Sequence, residues 1–237
     1  MSKRGTIYLI PSPLGPGALD TLPERTLAII RPLKHFVVET GKVARAFLKE
    51  VGLDHRLQEC TYHELNKRTR ADELPGFLAA AEAGEDIGVL SDAGAPGVAD
   101  PGARLVRLAQ VEGLRVVPLV GPSAILLSLM ASGMNGQAFT FHGYLSPKRG
   151  QLAKDLRRLE ANSRKNRATQ LWIEAPYRNA ATIEVAREVL RPDTLLSVAC
   201  DLTTATEFVR TAPAGEWVGF DGGMLQKRPA MFLLLAV

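Results

Sequence analysis

Along this chain, short apolar or β-branched runs alternate with longer stretches whose apolar residues recur every three or four positions. Residues 6–10 form a strand pattern that Pro11 cuts off, and residues 22–30 carry helical period. A short strand at 36–38 precedes a helix at 43–51, which Gly52 ends as a C-cap. Residues 72–83 are helical, with Pro75 near the start and Gly84 as the stop. A buried strand at 87–90, a helix at 103–111 and a strand at 114–120 follow. Such alternation predicts a mostly parallel sheet with helices on both faces.

A second series begins with a helix at 123–131, a strand at 138–142 and a basic helix at 151–160. A strand at 170–174, a helix at 179–190 and a strand at 195–200 come next. Residues 207–211 and 231–236 have strand character with no helix between them, so this sheet mixes antiparallel strands into its order. The expectation is α/β: two αβα domains, 1–119 and 120–237, with a hinge at 118–122. A length of 237 residues accommodates two such cores.

Composition narrows the class. Hydrophobic residues make up 46% and charged residues 23%, as in a folded soluble protein. No apolar run approaches the roughly 20 residues that cross a bilayer, and the run at 6–10 is too short for a signal-peptide core, so a cytoplasmic protein is expected. Two cysteines, Cys60 and Cys200, are too few for a disulfide framework. The net charge of +4 is uneven: Lys148, Arg149, Lys154, Arg157, Arg158, Arg164, Lys165 and Arg167 fall within twenty residues. Such a segment is either a solvated face or a partner for a polyanion such as RNA.

Three loops rich in Gly, Pro and small residues follow strands, where functional loops of α/β sheets lie. Residues 11–17 read Pro-Ser-Pro-Leu-Gly-Pro-Gly; they approach a dinucleotide fingerprint but have Asp20 where helix packing wants Gly or Ala. Residues 91–102 hold three glycines and two aspartates. Asp92 at the strand end suits hydrogen-bonding a ligand or complementing a cation, whereas Asp100 before Pro101 reads as a helix N-cap. Residues 120–124 lead into a helix, with Ser123 either capping it or leaving its first N–H groups open to a ligand. There is no G-x-x-x-x-G-K-[ST] loop and no G-x-S-x-G elbow. Cys60, His63 and His55 lack the fourth ligand of a zinc site, so no metal is expected.

These loops in this order resemble the tetrapyrrole (corrin/porphyrin) methylase superfamily, and within it the bacterial 16S ribosomal RNA cytidine 2′-O-methyltransferases. The carriers are residues 12–15, 91–102, 105–107, 115–119, 121–124 and 174–178. The resemblance implies two αβα domains with S-adenosylmethionine in a cleft between them, usually in a homodimer. It carries cofactor contacts to Pro13, Gly15, Asp92, Gly94, Ala95, Ser123 and Ala124. In the second domain it carries them to Glu174, Ala175, Cys200, Pro229 and Ala230.

Departures concentrate elsewhere. The family's Glu-Asp-Thr-Arg aligns with Glu39-Thr40-Gly41-Lys42, its His-x-His-Asn with residues 63–66, and its Arg-Glu-Leu-Thr with residues 200–203; its helical C-terminal extension is missing. The donor-side loops are kept and acceptor-side positions are altered. Candidate bases for an oxygen acceptor are Glu39, His63 and Asp201, although Glu39 also has Lys42 and Arg45 within pairing distance in sequence. The expected activity is S-adenosylmethionine-dependent methyl transfer, to a ribose 2′-hydroxyl of ribosomal RNA. A small molecule or tetrapyrrole as acceptor, or a non-catalytic cofactor-binding relative, are the alternatives.

Overall fold

A computed structural model of the chain describes residues 4–236. It divides into two compact units, with the division between Ser123 and Ala124.

The first unit comprises β1 (Thr6–Ile10), α1 (Glu24–Ile30), β2 (His35–Val38), α2 (Gly41–Val51), β3 (Thr61–Glu64), α3 (Leu74–Glu82), β4 (Ile87–Leu90), α4 (Ala103–Val111) and β5 (Arg115–Pro118). The strands are all parallel, in the order β3-β2-β4-β1-β5. Side chains alternate across a strand, so each four- or five-residue run feeds two cores. Ile7, Val37, Ile87 and Val89 pack with Leu74 and Leu78 of α3 and Leu105 of α4. Ile10, Phe36, Val38 and Leu90 pack with Ile30 of α1 and Phe47 and Leu48 of α2. Handedness explains the partition. The connections β1 to β2 and β2 to β3 move one way along the sheet, and β3 to β4 and β4 to β5 move the other. Right-handed crossovers then put α1 and α2 on one face and α3 and α4 on the opposite one.

Local signals behave as their chemistry requires. Gly52 caps α2 at φ 72°, its N–H donating to Leu48 O. The helix expected at 72–83 starts as a 3₁₀ turn, Ala71–Glu73, and becomes α-helical at Leu74 with Pro75 in its first turn. β3 is the element that hydrophobic pattern does not reveal: Thr61 and Glu64 are exposed, and the strand sits at the sheet edge, paired only with β2.

The second unit holds α5 (Ala124–Ser132), β6 (Phe139–Tyr144), α6 (Arg149–Asn166), β7 (Thr169–Glu174), α7 (Asn179–Val189), β8 (Leu195–Cys200), β9 (Phe208–Pro213) and β10 (Ala230–Leu235). Its sheet is mixed, in the order β6-β7-β10-β8-β9: β10 runs antiparallel to both β7 and β8, and β9 antiparallel to β8. Trp172, Val198 and Phe232 pack under α6 and α7 through Leu152, Leu156, Leu159 and Ile183. α5 lies against β8, β9 and β10. α6 is longer than its apolar period announces. Its last turns contribute no large apolar side chain, but Ser163 is buried and its Oγ accepts the Ala236 N–H at 2.9 Å.

Leu156 is fully buried in this core, whereas Val218 is 70% exposed. Leu156→Ala is expected to cost about 2–5 kcal/mol in urea unfolding and Val218→Ala less than about 0.5 kcal/mol. Similar losses for the two would contradict the packing described.

Candidate functional site

β4 is central to the first sheet, and its outgoing connection leads to the opposite face from those of both its neighbours, β1 and β2. Where neighbouring strands send their chains to opposite faces, the carboxyl ends stay uncovered and ligands bind there. The loops after β1, β4 and β5 meet at this end. Ser12 and Gly94 form a two-bond bridge, Ser12 N to Gly94 O at 2.8 Å and Gly94 N to Ser12 O at 2.9 Å. Ser12 Oγ donates to Ser91 O at 2.8 Å. Gly94 has φ +72°, and a Cβ there would lie 3.4 Å from Leu14 and 4.0 Å from Pro122 O, in contact with all three loops at once. At Gly121 a Cβ would fall 2.2 Å from the Pro11 ring, so only glycine lets the first and third loops approach this closely.

Carboxylates gather beside this bridge. Thr40 Oγ1 donates to Asp92 Oδ2 at 2.8 Å, and the Asp92 N–H donates to Glu39 Oε2 at 3.2 Å, so the loop after β2 is tied to the loop after β4. Glu64, at the end of β3, accepts the first N–H of α2 from Gly41 at 3.0 Å. Asp100 is not the helix cap that its sequence position announces: Gly102 occupies the N-cap of α4 at φ 136°. Instead, burial and the negative charges of Glu39 and Asp92 push the Asp100 carboxyl up to about 6, against a hydrogen bond from Ser91 that lowers it. This end of the sheet is therefore electronegative and lined with backbone. It suits a cationic ligand.

The remaining candidates fall into two groups. His63 stacks on Phe77 at 4.9 Å, on the face that packs with α3, and burial followed by the His35 charge lowers its proton affinity. In the second unit, Glu174, Ala230 and Cys200 form one row across β7, β10 and β8. The Glu174 carboxylate is internally satisfied, by Ala175 N at 2.8 Å, Thr182 Oγ1 at 2.7 Å and Arg178 at 3.1 Å. Burial raises the Cys200 thiol to about 11. Both residues thus offer backbone rather than side chain to the loops at that edge. Asp201 sits in the left-handed region at φ 48°, its Oδ2 bound by Arg228 Nε at 2.7 Å and Thr206 Oγ1 at 2.8 Å; Asp201 N donates to Pro229 O. Pro13, Gly15, Asp92, Gly94, Ala95 and Ser123 belong to the first unit, and Ala124 opens α5 of the second.

Thr40, Glu64 and Asp100 are the residues at this cluster that sequence reasoning did not single out as functional. Thr40 carried a signal, since it replaces an acidic residue of the family pattern. Asp100 carried none, because Asp before Pro reads first as a cap. Among the described residues, no three His, Cys, Asp or Glu side chains are grouped to hold a metal ion, and no helix is long and apolar enough to cross a membrane. A depression lined by Pro32, Lys34, His55 and Asp86 lies at the amino ends of the strands, away from these loops.

The family model described as Tetrapyrrole (Corrin/Porphyrin) Methylases matches residues 6–217. Ribosomal RNA small subunit methyltransferase I of Pseudomonas aeruginosa is 31% identical over 235 residues, covering 98% of this chain and 79% of that protein. The protein of the same name from Mesorhizobium japonicum is 36% identical over 205 residues, covering 86% of this chain and 66% of that one. Among solved structures, the methyltransferase CobJ superposes with a TM-score of 0.62 at 19% identity over the full length of both chains. A uroporphyrin-III-C-methyltransferase from Thermus thermophilus gives 0.57 at 15% identity, covering 98% and 92%. At such identities these two likenesses establish the fold.

Asp100 yields a pH-dependent outcome. A carboxyl whose folded value lies near 6, above the usual 3.8, weakens the fold as pH rises from about 4 to about 6 and leaves the full penalty in place at neutrality. Asp100→Asn is therefore expected to raise the melting temperature by about 2 °C or more at pH 7 and to leave it unchanged at pH 4. In carboxyl NMR, Glu39→Gln should move the Asp100 titration towards the ordinary range. An Asp100 that already titrates near 4 in the wild type would refute the cluster's electrostatics.

Proposed function

The chain belongs to the tetrapyrrole (corrin/porphyrin) methylase family, and we propose on that footing that it binds S-adenosylmethionine at the carboxyl end of its first sheet and methylates a ribose 2′-hydroxyl of ribosomal RNA. Methyltransferases of this family use S-adenosylmethionine generally. The observation that carries the reading is the glycine-lined convergence of three loops at Gly94 beside Asp92, Glu39 and Asp100. The bare backbone at Gly94 leaves room that a side chain would fill, and the carboxylates complement a sulfonium cation.

The cofactor supplies a methyl carbon made electrophilic by its sulfonium. The chain's residues bind, orient and take up a proton. Pro13, Gly15, Gly94 and Ala95 present backbone to the donor, Asp92 and Ser123 present polar side chains, and Ala124 continues this lining. Proton uptake from a hydroxyl falls to the Glu39–Asp100 pair. Asp100, raised to about 6, has an affinity suited to a base working near neutrality. His63, stacked on Phe77, and Asp201, engaged by Arg228, are given supporting roles.

The relatives' names and their 31% and 36% identities support the ribosomal acceptor, and a cytoplasmic protein accords with that reading. The acidic cluster favours one second reading, a small cationic acceptor such as an amine, because carboxylates repel phosphate. Labelled donor incubated with fractionated extract of cells lacking the protein separates the two: label in small-subunit RNA supports the first, and label in the low-molecular-weight fraction the second. We further propose a homodimer that covers Leu126 and Met130, one turn apart on α5 and 53% and 77% exposed.

Calorimetry should register binding of S-adenosylhomocysteine, and Gly94→Ala should weaken it about tenfold, since Cβ is strained at φ +72° and intrudes on the cradle. No heat from the wild type removes the donor-site reading. For the dimer, light scattering should give twice the chain mass, and Met130→Glu should shift it to one chain mass; a monomeric wild type refutes it.

A further inference from the structure

The positive charge of this protein is concentrated on one helix. Residues 148–167 hold eight lysines and arginines against two acids, while the whole chain carries only +4, so everything outside that segment is net negative. The structure turns this stretch into a directed surface. At 100° per residue, Lys154, Arg157, Arg158, Arg164 and Lys165 of α6 share the side opposite Leu152, Leu156, Leu159 and Ser163, which are buried. All five cations are exposed. Of the two acids, Glu160 faces the core, where it accepts the Arg191 N–H, and Asp155 is largely covered, 3.9 Å from Arg158. Among the described residues, Lys154, Arg157, Arg164 and Lys165 form no ion pair.

A helix gains nothing by this arrangement. Lys154–Arg157 and Lys154–Arg158 are like charges at i,i+3 and i,i+4, where Glu–Lys pairs would stabilise instead. Arg149, at the positive end of the helix dipole, does have counter-ions, Glu184 and Glu188 of α7. The chain thus neutralises cations where α6 meets α7 and leaves the solvent face bare. From Lys154 to Lys165 the face extends about 16 Å, a reach that spans several phosphates of a nucleic-acid strand.

We propose that this face of α6 is a docking surface for the phosphate backbone of folded RNA; the proposal rests on the ribosomal RNA reading above. It carries no aromatic side chain on which a base could stack, so it positions RNA without reading sequence. An anionic membrane is the competing polyanion. It fits less well, because interfacial helices insert an apolar side and every leucine of α6 is already committed to the core.

The test measures binding of transcribed small-subunit ribosomal RNA across a salt series. It compares the wild type with a variant combining Lys154→Gln, Arg157→Gln, Arg158→Gln, Arg164→Gln and Lys165→Gln. A control combines Arg25→Gln, Lys49→Gln, Arg56→Gln, Arg107→Gln and Arg115→Gln, which removes the same charge from exposed positions elsewhere. Calorimetry with S-adenosylhomocysteine confirms that each protein is folded. The expected result is a loss of about tenfold or more in affinity for the α6 variant at about 0.1 M salt, with a log–log salt slope lower by roughly 3 to 4. The control should lose much less. Equal losses in the two variants, or an α6 variant indistinguishable from wild type, overturn the inference and leave the RNA reading standing. A wild type that binds the nucleoside but no RNA overturns both, and binding to phosphatidylglycerol vesicles in place of RNA decides for the membrane.

Discussion

The bridge between Ser12 and Gly94 is the constraint on which the first unit's site depends. Parallel strands end in a row, and without further bonds their outgoing loops would splay, since the chain leaves β1 and β4 on opposite faces. Two main-chain hydrogen bonds across that divergence, with Ser12 Oγ on Ser91 O behind them, hold the loops together while leaving their outer surface free. A side chain at position 94 would fill the space the bridge creates, and φ +72° excludes one at little strain. Gly121 performs the same service against Pro11 for the third loop.

Electrostatics at this end follow from the same convergence. Glu39, Asp92 and Asp100 come from two loops separated by some fifty residues, and each is an unremarkable surface acid by itself. Asp100 is half-buried, and burial together with the negative charges of Glu39 and Asp92 raises its cost of ionisation. Thr40 offsets part of that repulsion by donating to Asp92. The second unit treats its acids differently. Glu174 and Asp201 are paired with Arg178 and Arg228, and the buried Glu160 accepts hydrogen bonds from Thr194 and the Arg191 N–H, so all three fix loops.

The two units also divide their polarity. The first gathers uncompensated carboxylates at the carboxyl ends of its strands, and the second exposes uncompensated cations along α6. For a chain of this family, which spans about three quarters of the length of relatives such as that of Pseudomonas aeruginosa, the charge pattern says more about division of labour than the net value of +4.

The sequence by itself determined the α/β class, the order of almost every element and the three small-residue loops, because period-2 and period-3.6 patterns and Gly or Pro stops act locally. It also determined that the basic residues lie together. Only the tertiary structure decided the rest. β3 is a strand because β2 offers an edge to pair with, which Thr61-Tyr62-His63-Glu64 does not announce through apolar alternation. Asp100 became part of a charged cluster instead of a helix cap because Gly102 took the cap position. The side chains of Glu174 and Cys200 point into a core because the pleat of β7 and β8 gives them that direction. Which cations of α6 stand free was settled by which acids α7 happened to supply. Each of these depends on partners distant in the chain, and a pattern read along one dimension holds no record of them.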